Sequence, residues 1–220
     1  MIAGSLILVA PFAEPGLIWR ELRFIPADLN EMATSEDPLG PVRVTLVPDL
    51  VEAVAKRRTE FLAGRLCAAM ALRWASLPTE VARQGRAPVW PSDIAGAITH
   101  SDNRAIAVIS RHHVGLGVDC ETMISAEQAE NLHPEIITPT EAALRPALLP
   151  FSDFLTLAFS AKESLYKALS SRLLQMPGFH DVTLVGITDD QVHLAFAGTT
   201  YRAQFRITAQ DCVTLVAIRA

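Results

Sequence analysis

The chain has 220 residues, half of them hydrophobic and a fifth charged, with a formal net charge of −5. This composition excludes a disordered chain and suffices for one large domain or two small ones with real cores. The negative net charge speaks against nucleic acid as a partner, and no apolar run approaches the roughly 18 residues of a membrane-spanning helix, so neither nucleic acid nor membrane is expected. Cys67, Cys120 and Cys212 are scattered, without metal-ligand spacing, and read as free thiols of a reducing, cytoplasmic setting.

In chain order, the opening MIAGSLILVAPFAEPG is apolar but lacks the basic start of a signal peptide, and reads as a strand near the N-terminus. The first strong element starts at Pro48, where Asp49 and Glu52 have capping-box spacing, and a helical pattern runs to about Ser76. Val51, Val54, Leu62, Leu66, Ala69 and Leu72 form its apolar stripe, and its length comes to about 40 Å. QGRAPVWPSD, with two prolines and a glycine, reads as loop. Three β-rich runs follow, GAITH, RAIAVIS and VGLGVDCE, broken at Ser101-Asp102-Asn103 and at Arg111-His112-His113; the spacing predicts an antiparallel meander, with His112 and His113 exposed in its second turn. Thr138, Pro139 and Glu141 open a short helix with a second capping box, and a longer helix covers about 152–175. Runs rich in Val, Ile, Phe and Thr at 181–187, 191–196, 200–207 and 213–218 read as strands. The order of long helix then sheet thus occurs twice, which predicts a duplicated α+β architecture.

Three groups of residues carry chemistry. In Gly117-Val118-Asp119-Cys120-Glu121, strand alternation turns Asp119 and Glu121 to one face and Cys120 to the other. Paired carboxylates repel unless a cation sits between them, and Mg²⁺ is a hard ion that takes oxygen ligands. Taken alone, the pair reads more readily as a solvated strand end, since acidic pairs are common on surfaces. On the helix Phe159-Ser-Ala-Lys-Glu-Ser-Leu-Tyr-Lys167, Glu163 and Lys167 are i,i+4 neighbours with Lys162 beside them. They could serve a metal and a phosphate together; Glu163 could also close a capping box from Ser160, or form a plain surface ion pair with Lys167. Lys56-Arg57-Arg58 and Arg65 make a basic stretch able to converge on an anion, or simply a solvated face. His100 closes the GAITH run next to a turn, which makes it accessible.

KRRTEFLAGR (56–65), GRAPVWP (85–91), GAITHS (96–101), GVDCE (117–121) and FSAKESLYKAL (159–169) occur in this order and at these separations. Together they resemble the siderophore-type 4′-phosphopantetheinyl transferases, the group that includes the enterobactin and surfactin activators, over roughly residues 45–170. The resemblance implies a pseudo-twofold α+β fold, each half a long helix packed on a small antiparallel sheet, with halves at 1–115 and 116–220 and the active site in the cleft between them. It implies a Mg²⁺ triad of Asp119, Glu121 and Glu163. Lys162, Lys167 and His100 correspond to phosphate contacts, and Arg57, Arg65 and Arg86 to the grip on the nucleotide end and its 3′-phosphate. The implied reaction moves 4′-phosphopantetheine from coenzyme A to a serine of an apo acyl or peptidyl carrier protein and releases 3′,5′-ADP, with Glu163 as candidate base and Lys167 and His100 beside it. A monomer is expected, since two halves in one chain complete the cleft. Thr99 stands where many relatives have Ser, and Cys120 where an aliphatic residue or Ala is usual. A non-catalytic coenzyme A binder and a metal-dependent phosphohydrolase are the alternatives from other classes.

Overall fold

The computed structural model describes residues 4–25, 31–85, 87–173, 175 and 177–219. The chain divides into two units, Met1–His112 and His113–Ala220. In the first, β1 (Gly4–Ile7), β2 (Ile18–Phe24), β7 (Ala95–Ser101) and β8 (Arg104–Ser110) form a four-stranded antiparallel sheet in the order β1-β2-β8-β7. The helix α1 (Ala55–Trp74) packs on it and on the ribbon of β3 (Met32–Ser35) with β4 (Val42–Thr45); a second ribbon pairs β5 (Ala82–Gln84) with β6 (Ala87–Val89). From Leu62 to Leu72 every residue of α1 except Arg65 is buried. Ala63, Ala68, Ala69 and Ala71 keep the helix thin, so apolar neighbours crowd it on several sides, and the single stripe read from the sequence understates its burial.

Three expectations fail here. The helix does not start at Asp49: Pro48–Leu50 is a 3₁₀ turn, and α1 begins after Val54 with no side-chain cap. Asp49 instead accepts a 2.6 Å bond from Arg83, and Arg58 donates back to the carbonyls of Val51 and Ala53, satisfying the turn that replaces the first helical residues. The helix is therefore 20 residues long, about 30 Å, and Val51 and Val54 are exposed. Part of the presumed loop 84–93 is the β5–β6 ribbon, turning at Gly85 with φ 59°; a two-stranded ribbon tolerates Pro88 because an edge strand has a free side. The third failure is the meander. β8 is buried at every residue and both its edges are taken, by β2 and by β7, which leaves no edge for the third run.

That third run, β9 (Gly115–Thr122), belongs to the second unit. It closes the five-stranded antiparallel sheet β10-β11-β12-β13-β9, in which the other strands are β10 (Thr183–Ile187), β11 (Gln191–Phe196), β12 (Thr199–Ile207) and β13 (Asp211–Ile218). His113, expected in an exposed turn, is 5% exposed: it leads directly into β9, where the Val114 N–H bonds Ile218 O. The short helix α3 (Pro139–Ala142) has the predicted capping box at Thr138 and Glu141. Ahead of it lies α2 (Ala126–Ile136), which the sequence reading missed, although Ser125 and Gln128 form a complete capping box at its start. The long helix α4 (Phe151–Leu169) stops at Ser170 rather than near 175, with Phe154, Leu155, Leu157, Ala158 and Leu165 in the core of this unit. Each unit is thus a long helix on an antiparallel sheet, the α+β plan expected from the sequence.

Candidate active site

The helix α4 lies directly on β9 and β13. A Cβ on Gly117 would stand 1.7 Å from Ser164 O, and one on Gly115 2.4 Å from Ala168 O, so the helix backbone approaches where only glycine leaves room. Polar bonds fix the helix along its own axis. Thr214 of β13 donates to Ser160 O at 2.8 Å, Ser164 Oγ donates to Thr214 O at 3.1 Å, and the hydroxyls of Ser160 and Ser164 both meet Thr214 Oγ1. Thr214 is the register partner of Asp119. The same residues that lock helix to sheet therefore set Glu163 and Lys167 relative to Asp119. Ser160 lies mid-helix with its side chain on Thr214, which removes the capping-box reading of Glu163.

Asp119 is 2% exposed, and Lys167 Nζ sits 2.6 Å from its Oδ1 and 3.2 Å from Val118 O. Beside them the half-buried Glu163 carboxyl is pushed up by burial, drawn down by the Lys167 charge and raised by Asp119. A buried carboxylate bound by an ammonium, beside a second carboxyl that its charge disfavours, forms a site where added positive charge would be stabilised. Glu121 follows two residues on, on the same face of β9 as Asp119 and half-exposed. Three carboxylates are hard oxygen donors of the kind Mg²⁺ takes, so the donor chemistry fits. Among the described residues no three His, Cys, Asp or Glu side chains are gathered into a set that could hold a metal ion, so Asp119, Glu121 and Glu163 do not stand as a preformed triad.

Lys162 does not belong to this group, contrary to its expected phosphate role. It is fully buried, and its ammonium lies 2.7 Å from Glu141 Oε1 and 2.8 Å from both Ile136 O and Phe179 O. Three acceptors use its three protons, leaving none for a phosphate. Glu141, which the sequence suggested only as a cap residue, also accepts from Leu184 N at 2.7 Å and from Thr138 N at 2.8 Å.

In the first unit, Arg57 Nη1 lies 2.9 Å from His100 Nε2, and His100 Nδ1 lies 3.6 Å from Glu60 Oε2. Lys56 bridges Asp102 at 2.8 Å and Glu60 at 3.9 Å. Burial raises the Glu60 carboxyl, against the charges of Lys56 and Arg57. Arg65 stands apart from this cluster. Its Nη1 donates to Val81 O at 2.7 Å and Ala82 O at 3.3 Å, its guanidinium lies 5.2 Å from the Phe61 ring centroid, and burial, then the Arg83 charge, lowers its pKa to about 10. One of its two terminal amines is thereby committed to the start of the β5–β6 ribbon. Arg86 lies outside the described residues.

Comparison with known proteins follows the two units. Residues 47–110 match the 4′-phosphopantetheinyl transferase N-terminal domain, and residues 115–217 match the 4′-phosphopantetheinyl transferase superfamily. Enterobactin synthase component D of Salmonella typhimurium is 41% identical over 172 residues, covering 73% of this chain and 72% of the relative. The protein of the same name from Escherichia coli (strain K12) is 38% identical over 168 residues, 76% and 80% of the two chains. A 4′-phosphopantetheinyl transferase of Mycobacterium tuberculosis is 30% identical over 175 residues, 75% and 76% of the two. With both units matched in order and the likeness running through most of each relative, the chain belongs to the 4′-phosphopantetheinyl transferase superfamily and is a transferase of the siderophore type.

Proposed function

We propose that the protein transfers the 4′-phosphopantetheine group of coenzyme A to a serine of an apo carrier protein, releasing 3′,5′-ADP, in a Mg²⁺-dependent reaction. The observation that carries this reading is the buried Asp119 held by Lys167 beside the raised Glu163, on the strand and helix where the superfamily match runs. Arg57 and His100 bind anionic groups of coenzyme A, with Arg65 and Arg86 toward its nucleotide end. Lys167 donates to the pyrophosphate as well as to Asp119, placing positive charge where negative charge develops. Glu163, beside Asp119 and Lys167, is the group proposed to accept the proton of the attacking serine. Asp119, Glu121 and Glu163 would hold the Mg²⁺, which neutralises the carboxylates and the departing phosphate charge when bound.

The carriers proposed are those of siderophore, nonribosomal-peptide or polyketide assembly, by analogy with the relatives named enterobactin synthase components. We place the enzyme in the cytoplasm as a monomer. Its three cysteines are buried free thiols, and among the described residues no helix is long and apolar enough to cross a membrane. The test is one incubation of the protein with Mg²⁺, coenzyme A and an apo carrier domain, followed by intact-mass measurement of the carrier. Expected is a gain equal to the phosphopantetheine arm, lost when the metal is chelated. Free phosphopantetheine without carrier labelling would make the protein a hydrolase, and neither product would make it a binder.

A further inference from the structure

His100 sits near the end of β7, opposite Ala105 of β8, with Arg57 and Glu60 reaching it from α1. A guanidinium has only donors, so its 2.9 Å contact with Nε2 requires that nitrogen to be bare. A neutral imidazole with a bare Nε2 carries its proton on Nδ1, and that nitrogen is the one facing Glu60 Oε2 at 3.6 Å. The distance is that of a charge contact, of the kind that tightens when the partner becomes a cation. The other charges of the cluster are Lys56 on α1 and Asp102 in the β7–β8 turn, paired with each other; Arg104 at the start of β8 is bound to Glu21 of β2. Glu60 is 8% exposed, and burial raises its carboxyl, so it gains from a cationic neighbour.

This arrangement has a consequence for anion binding. A phosphate offers only acceptors. Arg57 and His100 can both serve it only if Arg57 leaves Nε2 and Nε2 acquires a proton from solvent. The imidazolium then donates from Nε2 to the anion and from Nδ1 to Glu60. We propose that Glu60 is a positioning residue for His100: it holds the imidazole as the Nδ1–H tautomer in the free enzyme and stabilises the imidazolium that forms when an anionic group of the substrate displaces Arg57 from Nε2. Binding of coenzyme A is thereby coupled to uptake of one proton. The inference rests on the proposed contacts of Arg57 and His100 with coenzyme A.

The experiment is calorimetry of coenzyme A binding to the full chain at about pH 8, in two buffers of different ionisation heat. There the ligand's phosphates are already ionised and an ordinary imidazole is neutral. Wild type is expected to take up close to one proton, and its Kd to rise toward tenfold per pH unit through this range. Glu60→Gln, which keeps an acceptor but no charge, is expected to take up less than half as much and to bind about tenfold more weakly, with its melting temperature nearly unchanged. In the free wild-type protein, the ¹⁵N shifts of the His100 ring are expected to report the Nδ1–H tautomer. Binding without proton uptake in wild type, equal uptake in Glu60→Gln, or an Nε2–H tautomer in the free protein would each overturn the inference alone. No binding of coenzyme A at all would overturn the substrate reading with it.

Discussion

Lys162 and Glu141 show how a residue's neighbours override its sequence context. Lys162 adjoins Glu163 in a motif that points to phosphate, yet its ammonium ties together the end of α2, the start of α3 and the Phe179 carbonyl. Removing it leaves Glu141 buried with a charge and no counter-ion. Lys162→Met is expected to cost about 3–5 kcal/mol in urea unfolding, while the variant held below its melting temperature binds coenzyme A as wild type does. Burial pushes the Glu141 carboxyl up, but the bonds from Leu184, Lys162 and Thr138 outweigh it and leave the value lowered. A lowered carboxyl contributes its stability above the ordinary value of 4.5 and loses it as pH falls through the folded value, so acid unfolding should set in below 4.5 and Glu141→Gln should flatten that limb. Glu163 is the opposite case. With no capping bond to lose, Glu163→Gln should leave the melt within about 1 kcal/mol of wild type, while single-turnover transfer at saturating coenzyme A falls by about 10²-fold or more. A wild-type rate with a lowered melting temperature would make Glu163 structural.

At the scale of elements, the site depends on how closely α4 lies on β9. Gly117→Ala places a methyl group against the Ser164 carbonyl, a backbone atom that cannot swing aside. The helix must lift, loosening the bonds of Ser160 and Ser164 to Thr214 and moving Glu163 and Lys167 away from Asp119. A loss of about 3 kcal/mol or more is expected in denaturant unfolding, with transfer reduced even when activity is compared at equal folded fraction. The glycine was legible as part of a motif. Its reason was not, because the contact links residues 47 positions apart. The Ser160–Ser164 spacing was a visible clue: two hydroxyls one helical turn apart on a face otherwise rich in Phe, Leu and Ala want a common partner, and the sequence does not say that it is Thr214.

For the molecule as a whole, the two units have separate sheets, and β9 completes the second one. A fragment spanning 113–220 retains every strand of that sheet and the whole of α4, and is expected to unfold cooperatively on heating, followed by circular dichroism. A fragment spanning 123–220 lacks β9. It exposes the edge of β13 and the face of α4 that β9 covers, and is expected to give a broad, non-cooperative transition or to aggregate. Equal melting of the two fragments would show that β9 is dispensable to this core.

By itself the sequence determined the long helices, most strands of the second half, the α3 capping box and the order of chemical motifs, because hydrophobic period, caps and turn residues act between near neighbours. Tertiary structure decided the rest. It moved β9 to the second sheet, since β8 had no free edge. It shortened α1, since Asp49 found Arg83 and Arg58 closed the turn before the helix. It took Lys162 from the phosphate set and gave it to Glu141, and it set Glu60 behind His100. Edge pairing and the choice of counter-charge are non-local, settled by which strands and which buried charges fold into reach of one another.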